Sequence, residues 1–261
     1  MKYNPTPVLR FCFLTPFFAL VISGALHAEP AAEKGRTVRF LAVGELPPFR
    51  QEVRDDVRYE LEPPAGSIPP REVLLGFGGD KTEAAPLRLG RISEPLKAPA
   101  GIGPLLLKRR EAAADAEPWL RLVRPESGDF LVLLWRDAKG GTWDKALSLV
   151  LPDDPVSVPA GSVRVVNICP AEVRVVIGEE KLLLQAGKSF KRTVPPGVEQ
   201  PLQVLLPDTT GTLRSLHSGV ITQNPGERSL VLIFRADGES PRRPVKVSVQ
   251  REPAPAPPPE H

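Results

Sequence analysis

The feature of this chain that most constrains its fold is an internal repeat. Residues 70–136 and 170–235 carry one pattern twice, and the offset between matching positions drifts only from 100 (Pro70 to Pro170) to 99 (Leu131 to Leu230). Self-similarity at one period indicates one fold unit used twice. The matching positions are Pro70/Pro170, Glu72/Glu172, Val73/Val173, Gly78/Gly178 and Lys81/Lys181, followed by the run 131–136 against 230–235.

Short β-branched runs, separated by proline and glycine, indicate strands and turns. The chain contains 32 Pro and 21 Gly, the residues that turns with special φ values require. In residues 172–177 an apolar residue stands at every second position, as in a half-buried strand. Only residues 108–117 combine good helix formers; this stretch is short and lacks an apolar face, so a frayed turn or a solvated loop is an equal alternative. The sequence therefore predicts an all-β protein with two tandem immunoglobulin-like β-sandwich domains related by internal duplication.

The expected organisation has six parts. They are a signal peptide (1–28), a polar leader (29–35), a first β-sandwich repeat (36–151), a linker (152–161), a second β-sandwich repeat (162–250) and a proline-rich tail (251–261). The first repeat carries an insertion near 44–69, since Pro70 follows Val38 by 32 positions whereas Pro170 follows Val163 by 7. The insertion predicts a long loop or an added hairpin.

The N-terminus has the pattern of an export signal. Lys2 and Arg10 precede an apolar run at 11–22 that is too short to span a bilayer, and small residues follow. We expect cleavage after Ala28, with Ala25 as the alternative, and export to the periplasm or the exterior. A buried N-terminal strand and an uncleaved anchor are the competing interpretations. No later segment is long and apolar enough to predict a transmembrane span in the mature chain.

Charge and cysteine content narrow the function classes further. The chain has 34 Lys+Arg and 31 Asp+Glu, and residues 1–28 hold two of the basic residues and no acidic one, which leaves 32 against 31 in the mature chain. A near-neutral mixture predicts no nucleic-acid partner. Cys12 lies in the expected signal peptide, so Cys169 stands alone and no internal disulfide is expected.

The sequence predicts no catalytic residues, no metal site and no cofactor. His217 is the only histidine between the expected signal peptide and the last residue, so a triad or a histidine-based metal site would depend on it alone. Residues 208–211 superficially resemble an aspartic-protease loop, but that chemistry needs two carboxylates and a turn is the better interpretation. The Asp55-Asp56 and Asp153-Asp154 pairs are interpreted as solvated loop charges.

Aromatic residues of the first repeat are the candidate binding residues. Tyr59, Trp119 and Trp143 have no counterparts of their types in the second repeat. Exposed tryptophan and tyrosine rings stack on sugars or anchor protein partners. The alternative, and the commoner role, is that Trp119 and Trp143 close the ends of a core.

The opening of the second repeat resembles a widespread family of bacterial secreted domains of unknown function. Members begin with a Ser-Val-Arg-Val-Val-Asn strand, then a proline, then an alternating strand that ends in a turn glycine. Ser162–Asn167, Pro170 and Gly178 stand in that order here, and Pro196-Gly197 is similar to a later turn of the family. The resemblance implies a secreted β-sandwich and brings no catalytic residues.

These observations predict a non-enzymatic exported module of the bacterial cell envelope or exterior. Its role would be binding or structural, and its partner a protein or a cell-surface polysaccharide. Carbohydrate recognition through the aromatics of the first repeat is the alternative, and a hydrolase that uses scattered carboxylates ranks third.

Overall fold

Two β-sandwiches follow one another along the chain. The computed structural model describes residues 1, 35–79, 81–113, 115–137, 141–208, 210–238 and 241–255. All strands lie in the unit Lys34–His261, and we call residues 36–152 lobe 1 and residues 162–253 lobe 2. The expected all-β class is confirmed. The described residues include no helix able to cross a membrane.

The strands take their bounds from the β-branched and leucine-rich runs of the sequence. Those of lobe 1 are β1 (Arg36–Val43), β2 (Gln51–Arg54), β3 (Val57–Glu60), β4 (Glu72–Gly76), β5 (Thr82–Pro86), β6 (Leu96–Ala98), β7 (Pro104–Arg109), β8 (Leu120–Val123), β9 (Phe130–Arg136) and β10 (Ala146–Pro152). Those of lobe 2 are β11 (Ser162–Asn167), β12 (Val173–Ile177), β13 (Glu180–Leu184), β14 (Ser189–Thr193), β15 (Glu199–Pro207), β16 (Leu213–Thr222), β17 (Glu227–Arg235) and β18 (Val245–Pro253).

Both lobes have the same strand order. Lobe 1 contains the sheets β10-β9-β1-β6 and β5-β4-β7-β8, and lobe 2 contains β18-β17-β11-β14 and β13-β12-β15-β16. In each lobe the first strand pairs in parallel with the second-last strand, and the remaining strand pairs are antiparallel. The hairpin β2–β3 is the one element without a counterpart among the described strands. The topology thus repeats as the sequence repeats, while common ancestry stays a hypothesis.

The sandwich architecture is shared with immunoglobulin domains, but the strand order is different. Numbered by position in lobe 2, the sheets read 4-1-7-8 and 3-2-5-6, whereas immunoglobulin constant domains have 1-2-5-4 and 3-6-7. The first strand of each lobe is consequently central in its sheet. All six residues of Ser162–Asn167 are buried, because the face that does not cover the lobe 2 core packs on lobe 1.

The insertion in lobe 1 forms a hairpin, which is one of the two alternatives the sequence left open. Strands β2 and β3 are joined by Asp55 and Asp56, whose φ angles of 50° and 62° are those of a type I′ turn. The N–H of Leu61 donates to the carbonyl of Arg50 at 2.9 Å and extends the pairing. Every hairpin residue except Glu52 is exposed.

Trp143 closes the core of lobe 1. It is the largest fully buried side chain among the described residues. Its backbone N–H donates to the carbonyl of Gly66 at 2.7 Å. Its backbone carbonyl accepts from Trp119 Nε1 at 2.9 Å and from Arg109 Nη2 at 3.0 Å. Gly66 has φ 72°, and a Cβ there would lie 3.0 Å from Thr142 Cβ. The second half of the insertion is therefore anchored to the sandwich.

The described residues of the segment 108–117, which are all but residue 114, are not helical. Their first two residues end β7, and the chain then turns, with the N–H of Ala112 bonded to the carbonyl of Arg109 at 3.1 Å. The turn alternative agrees with the structure, because the segment has no apolar face to bury as a helix.

The two chain ends differ in what the structure describes. The expected signal peptide (1–28) and polar leader lie outside the described residues except for Met1 and Gly35. Strand β18 continues to Pro253, so the residues 251–253 expected in the tail belong to the sheet. The last six residues, 256–261, lie outside the described part.

A third apolar cluster, which we call the interlobe layer, lies between the sandwiches. It is contributed by β1, β9 and β10 of lobe 1 and by β11 and β17 of lobe 2 with the residue that follows β11. Repeat-equivalent positions of the two lobes contribute to the same layer, as equivalent surfaces do in the interface of a homodimer. The equivalent pairs are Leu41/Val166, Val43/Ile168, Leu131/Leu230, Leu133/Leu232 and Trp135/Phe234.

Leu133 provides a test of the interlobe layer, because it is fully buried there. We expect Leu133→Ala to lower the free energy of unfolding by about 2–5 kcal/mol, measured by urea denaturation. Leu183→Ala, at an exposed position of β13, is the matched control and should change it by less than about 0.5 kcal/mol. Equal, small effects of both substitutions would show that the layer is not packed in solution.

Candidate functional site

One end of the interlobe layer is closed by a buried ion cluster. Arg39 Nη2 lies 2.5 Å from Asp153 Oδ2, and Arg39 Nη1 lies 2.5 Å from Glu252 Oε2. Arg228 Nη2 lies 3.0 Å from Asp153 Oδ1 and 2.8 Å from Glu252 Oε1. Arg39 and Asp153 belong to lobe 1 and its exit, and Arg228 and Glu252 to β17 and β18. Two cations and two carboxylates thus join the lobes in direct ion pairs, and a third buried arginine, Arg164, interacts electrostatically with Asp153 and Arg228.

The cluster is a structural clamp rather than a binding site. The side chains of Arg228 and Asp153 are 5% and 7% exposed, and the cavity beside the cluster has a volume of about 20 Å³, too small for a ligand. Burial raises the pKa of Asp153 against the charges of Arg39 and Arg228. Burial would also raise the pKa of Glu252, but hydrogen bonds and charge from the same arginines hold it below its usual value.

The interpretation of Asp153 as a solvated loop charge is wrong. Asp153 follows the end of β10 in a segment that reads as a linker, yet it is 6% exposed. Its partner Arg228 is 75 positions away, and only the packing of the lobes brings the two together. Asp154 does behave as a turn residue, since its Oδ1 accepts from the N–H groups of Val156 and Ser157 at 3.0 and 2.8 Å.

The opposite end of the interlobe layer opens into a cleft of about 640 Å³. The C-terminal ends of β1, β9, β11 and β17 and the residues that follow them contribute to its wall. Most of that wall is apolar. Its larger apolar side chains are Val43, Trp135, Leu147, Ile168, Pro170 and Phe234. We call this cavity the interlobe cleft.

A second polar clamp crosses from lobe to lobe at the edge of the cleft. Arg136 Nε donates to Asp237 Oδ2 at 2.7 Å, and the N–H of Glu45 donates to Asp237 Oδ1 at 2.7 Å. In return Glu45 Oε2 accepts from the N–H groups of Asp237 and Gly238, both at 2.9 Å, and Lys246 pairs with its other oxygen. Burial would raise the pKa of Glu45, but these donors lower it.

The three predicted binding residues do not form one surface. Trp143 is 1% exposed, so its ring cannot stack on a sugar, and the core-closing alternative describes it. Trp119 is half-buried and packs against the same core, with its Nε1 bonded to the Trp143 carbonyl. Tyr59 is on β3 of the hairpin and is half exposed.

The inserted hairpin and the loop before it expose a group of apolar side chains. We call residues 46–60 the hairpin arm. Each of these side chains is at least half exposed, in contrast to the buried apolar residues of the neighbouring strands β1 and β4. They are Leu46, Phe49, Val53, Val57 and Tyr59.

The remaining candidates for reactive chemistry are Cys169, His217 and Asp208. Cys169 is buried, and burial raises the pKa of its thiol. Burial and the charge of Arg243 lower the pKa of His217. Asp208 Oδ1 accepts from the N–H groups of Thr210 and Thr212 at 2.9 and 3.0 Å, which confirms the turn. Within the described ranges, histidine, cysteine, aspartate and glutamate form no group of three or more that could hold a metal ion.

The sequence was compared with protein-family models and with curated proteins. No protein-family model matches the sequence, and no curated protein matches it. The resemblance of the second repeat to the secreted domain family stays a prediction.

Two sequence signals could have indicated the polar contacts between the lobes. Arg39 and Arg164 recur at equivalent positions inside apolar strands, and Arg136 and Arg235 recur at the ends of others. A cation within or at the end of a strand buried on both faces needs a partner. The identity of that partner depends on how the lobes pack, which the sequence pattern does not show.

The ion cluster predicts a large effect for a small substitution. Asp153→Asn removes one of two carboxylates that face Arg39 and Arg228, and we expect it to lower the free energy of unfolding by about 3–5 kcal/mol in urea denaturation. Glu52→Gln breaks the exposed pair with Arg54 and should cost less than about 1 kcal/mol. If Asp153→Asn lowered the free energy of unfolding by no more than the control does, the assignment of the cluster as a clamp would be contradicted.

The lowered pKa of Glu252 predicts how the clamp responds to acid. A carboxyl group whose pKa is lower in the folded chain stabilises at neutral pH and loses this effect as the pH falls through the folded pKa. The difference in unfolding free energy between the native protein and Glu252→Gln should therefore be largest near neutral pH and shrink below about pH 4. A difference that stays constant over acid titration would contradict the assignment.

Proposed function

We propose that the protein is a non-enzymatic exported module of the bacterial cell envelope or exterior that binds a protein partner through the hairpin arm. The exposed apolar side chains of the arm are the observation that carries this proposal. Export is proposed from the sequence pattern of residues 1–28, and the repeat is proposed to come from duplication of one sandwich domain.

The fold of lobe 1 does not require the arm. Lobe 2 has the same eight-strand topology without an equivalent hairpin, so the arm is an addition to a complete sandwich. An isolated two-stranded hairpin is at best marginally stable in water. An added element that exposes apolar side chains on a marginal scaffold is typical of an interaction site.

The chain that leaves the arm is anchored to lobe 1, and the turn at the tip of the arm is exposed to solvent. The bond from Trp143 to Gly66 fastens the returning chain to the lobe 1 core, and the type I′ turn at Asp55 and Asp56 sets the register of the strands. This arrangement presents Phe49 and Tyr59 on an arm whose strand register is fixed, which reduces the entropy lost on binding.

The composition of the arm favours a protein partner. Strands β2 and β3 pair only with each other among the described strands, so each has a free edge that a partner strand can extend. The arm's charges are mixed, with three arginines at 50, 54 and 58 against four acidic residues at 52, 55, 56 and 60, which does not favour an anionic polymer. An apolar groove or open strand edge on a partner protein would complement it.

Carbohydrate binding takes second place. Of the three predicted binding residues only Tyr59 presents an exposed ring, because Trp143 is buried and Trp119 is packed against the lobe 1 core. A hydrolase stays third, since the carboxylates of the two clamps are committed to arginine, lysine and backbone partners.

The arm is tested by substituting its aromatic residues. The double variant Phe49→Ser/Tyr59→Ser, cross-linked in envelope extracts of the source bacterium, should retain at least about tenfold less partner protein than the native chain. Val123→Ser, at an exposed position of β8, is the matched control and should retain it fully. Thermal melting should be unchanged in both. A partner held equally by the native chain and the double variant would contradict the proposal.

A further inference from the structure

The interlobe cleft has the size and lining of a small-molecule site. Its volume of about 640 Å³ lies within the range of ligand pockets, which are mostly apolar with a few polar groups that orient the ligand. Trp135 and Phe234 contribute aromatic wall from the two lobes, and Leu147 contributes a side chain that is 44% exposed. The cleft is distinct from the hairpin arm.

The lining of the cleft consists in part of repeat-equivalent residues. Trp135 corresponds to Phe234, and Arg136 corresponds to Arg235. The two arginines differ in what they contact. Arg136 is bonded to Asp237 of the other lobe at 2.7 Å, whereas Arg235 is exposed and has no carboxylate partner in the part of the chain that the structure describes.

The sequence of the repeat explains why Arg235 and Arg136 differ in their described partners. With the offset of 99 that relates Arg136 to Arg235, the position equivalent to Asp237 is Ala138. Lobe 1 therefore supplies no equivalent of the carboxylate that lobe 2 offers to Arg136. Asp137 also lines the cleft, but it already has a partner of its own. Among the residues that the structure describes, the guanidinium of Arg235 at the edge of an apolar cavity has no carboxylate partner, and it is placed to pair with a group from outside the chain.

We propose that the interlobe cleft binds a small amphipathic monocarboxylic acid, with the carboxylate on Arg235 and the apolar body between Trp135 and Phe234. An arginine guanidinium binds a carboxylate through two parallel hydrogen bonds. Asp137 and Asp237 at the same cleft disfavour a ligand with two negative charges. The apolar wall disfavours a compact polar acid, because such a ligand would not bury it.

The test compares two probes that differ only in charge. Dansyl-labelled undecanoate and its methyl ester are titrated into the full chain, and binding is followed by the blue shift and gain of dansyl fluorescence. We expect saturable binding of the acid, with the ester at least about tenfold weaker. Arg235→Gln should weaken the acid about tenfold and leave the ester unchanged. Arg121→Gln, an exposed arginine of β8, is the matched control.

A second variant locates the probe. Leu147→Asp places a charge on the apolar wall at a partly exposed position that tolerates it, and it should weaken both probes by at least about tenfold. Leu183→Asp, exposed on β13, should weaken neither. Equal affinity for acid and ester, an unchanged affinity in Arg235→Gln or Leu147→Asp, or the absence of saturable binding would each overturn the proposal.

The outcome is independent of the proposed protein partner. Phe49→Ser/Tyr59→Ser alters the hairpin arm only, so it should leave the affinity of both probes as in the native chain. A loss of probe binding in that double variant would place the probe on the arm and overturn the cleft assignment. Arg235→Gln alters the cleft only, so it should still retain the protein partner of the arm.

Discussion

The packing of one sheet of lobe 1 on one sheet of lobe 2 accounts for the rest of the structure. Because this layer covers the outer faces of β1, β9, β11 and β17, these central strands are covered on both sides, and β9 and β17 carry continuous apolar runs. The same packing encloses Arg228 and Asp153 in the ion cluster. The interlobe cleft is the space that remains where the layer ends, beyond Trp135 and Phe234.

The two lobes share their frame and differ where function is proposed. The frame is the repeated topology, with equivalent residues of both lobes in the interlobe layer. The differences are the hairpin arm, which only lobe 1 carries, and Asp237, which neutralises Arg136 and aligns with Ala138 in the repeated sequence. Each lobe has its own apolar core. Residues that differ between the two lobes are therefore available for separate roles.

Local chemistry was readable from the sequence, and long-range contact was not. Alternation and turn residues predicted the strands, the hairpin alternative in the insertion and the turn at Asp208, because these depend on neighbours within a few positions. Asp153 was misinterpreted because its partner lies far along the chain. Trp143 follows a glycine-containing segment typical of a surface loop, yet it closes a core through its bond to Gly66. The cleft exists only through packing of the lobes, which no period in the sequence encodes.

The measurement that tests the coupling of the lobes most directly is chemical unfolding followed by two probes at once. All three tryptophans, at 119, 135 and 143, belong to lobe 1, and Trp135 packs in the interlobe layer. Their fluorescence therefore reports on lobe 1 and on that layer, while far-ultraviolet circular dichroism reports on both sandwiches. If the interlobe layer holds the lobes as one cooperative unit, the two transitions coincide, and Leu232→Asp in lobe 2 lowers the midpoint of the lobe 1 fluorescence transition. Separate transitions, or a fluorescence midpoint that Leu232→Asp leaves unchanged, would contradict the coupling of the lobes through the interlobe layer.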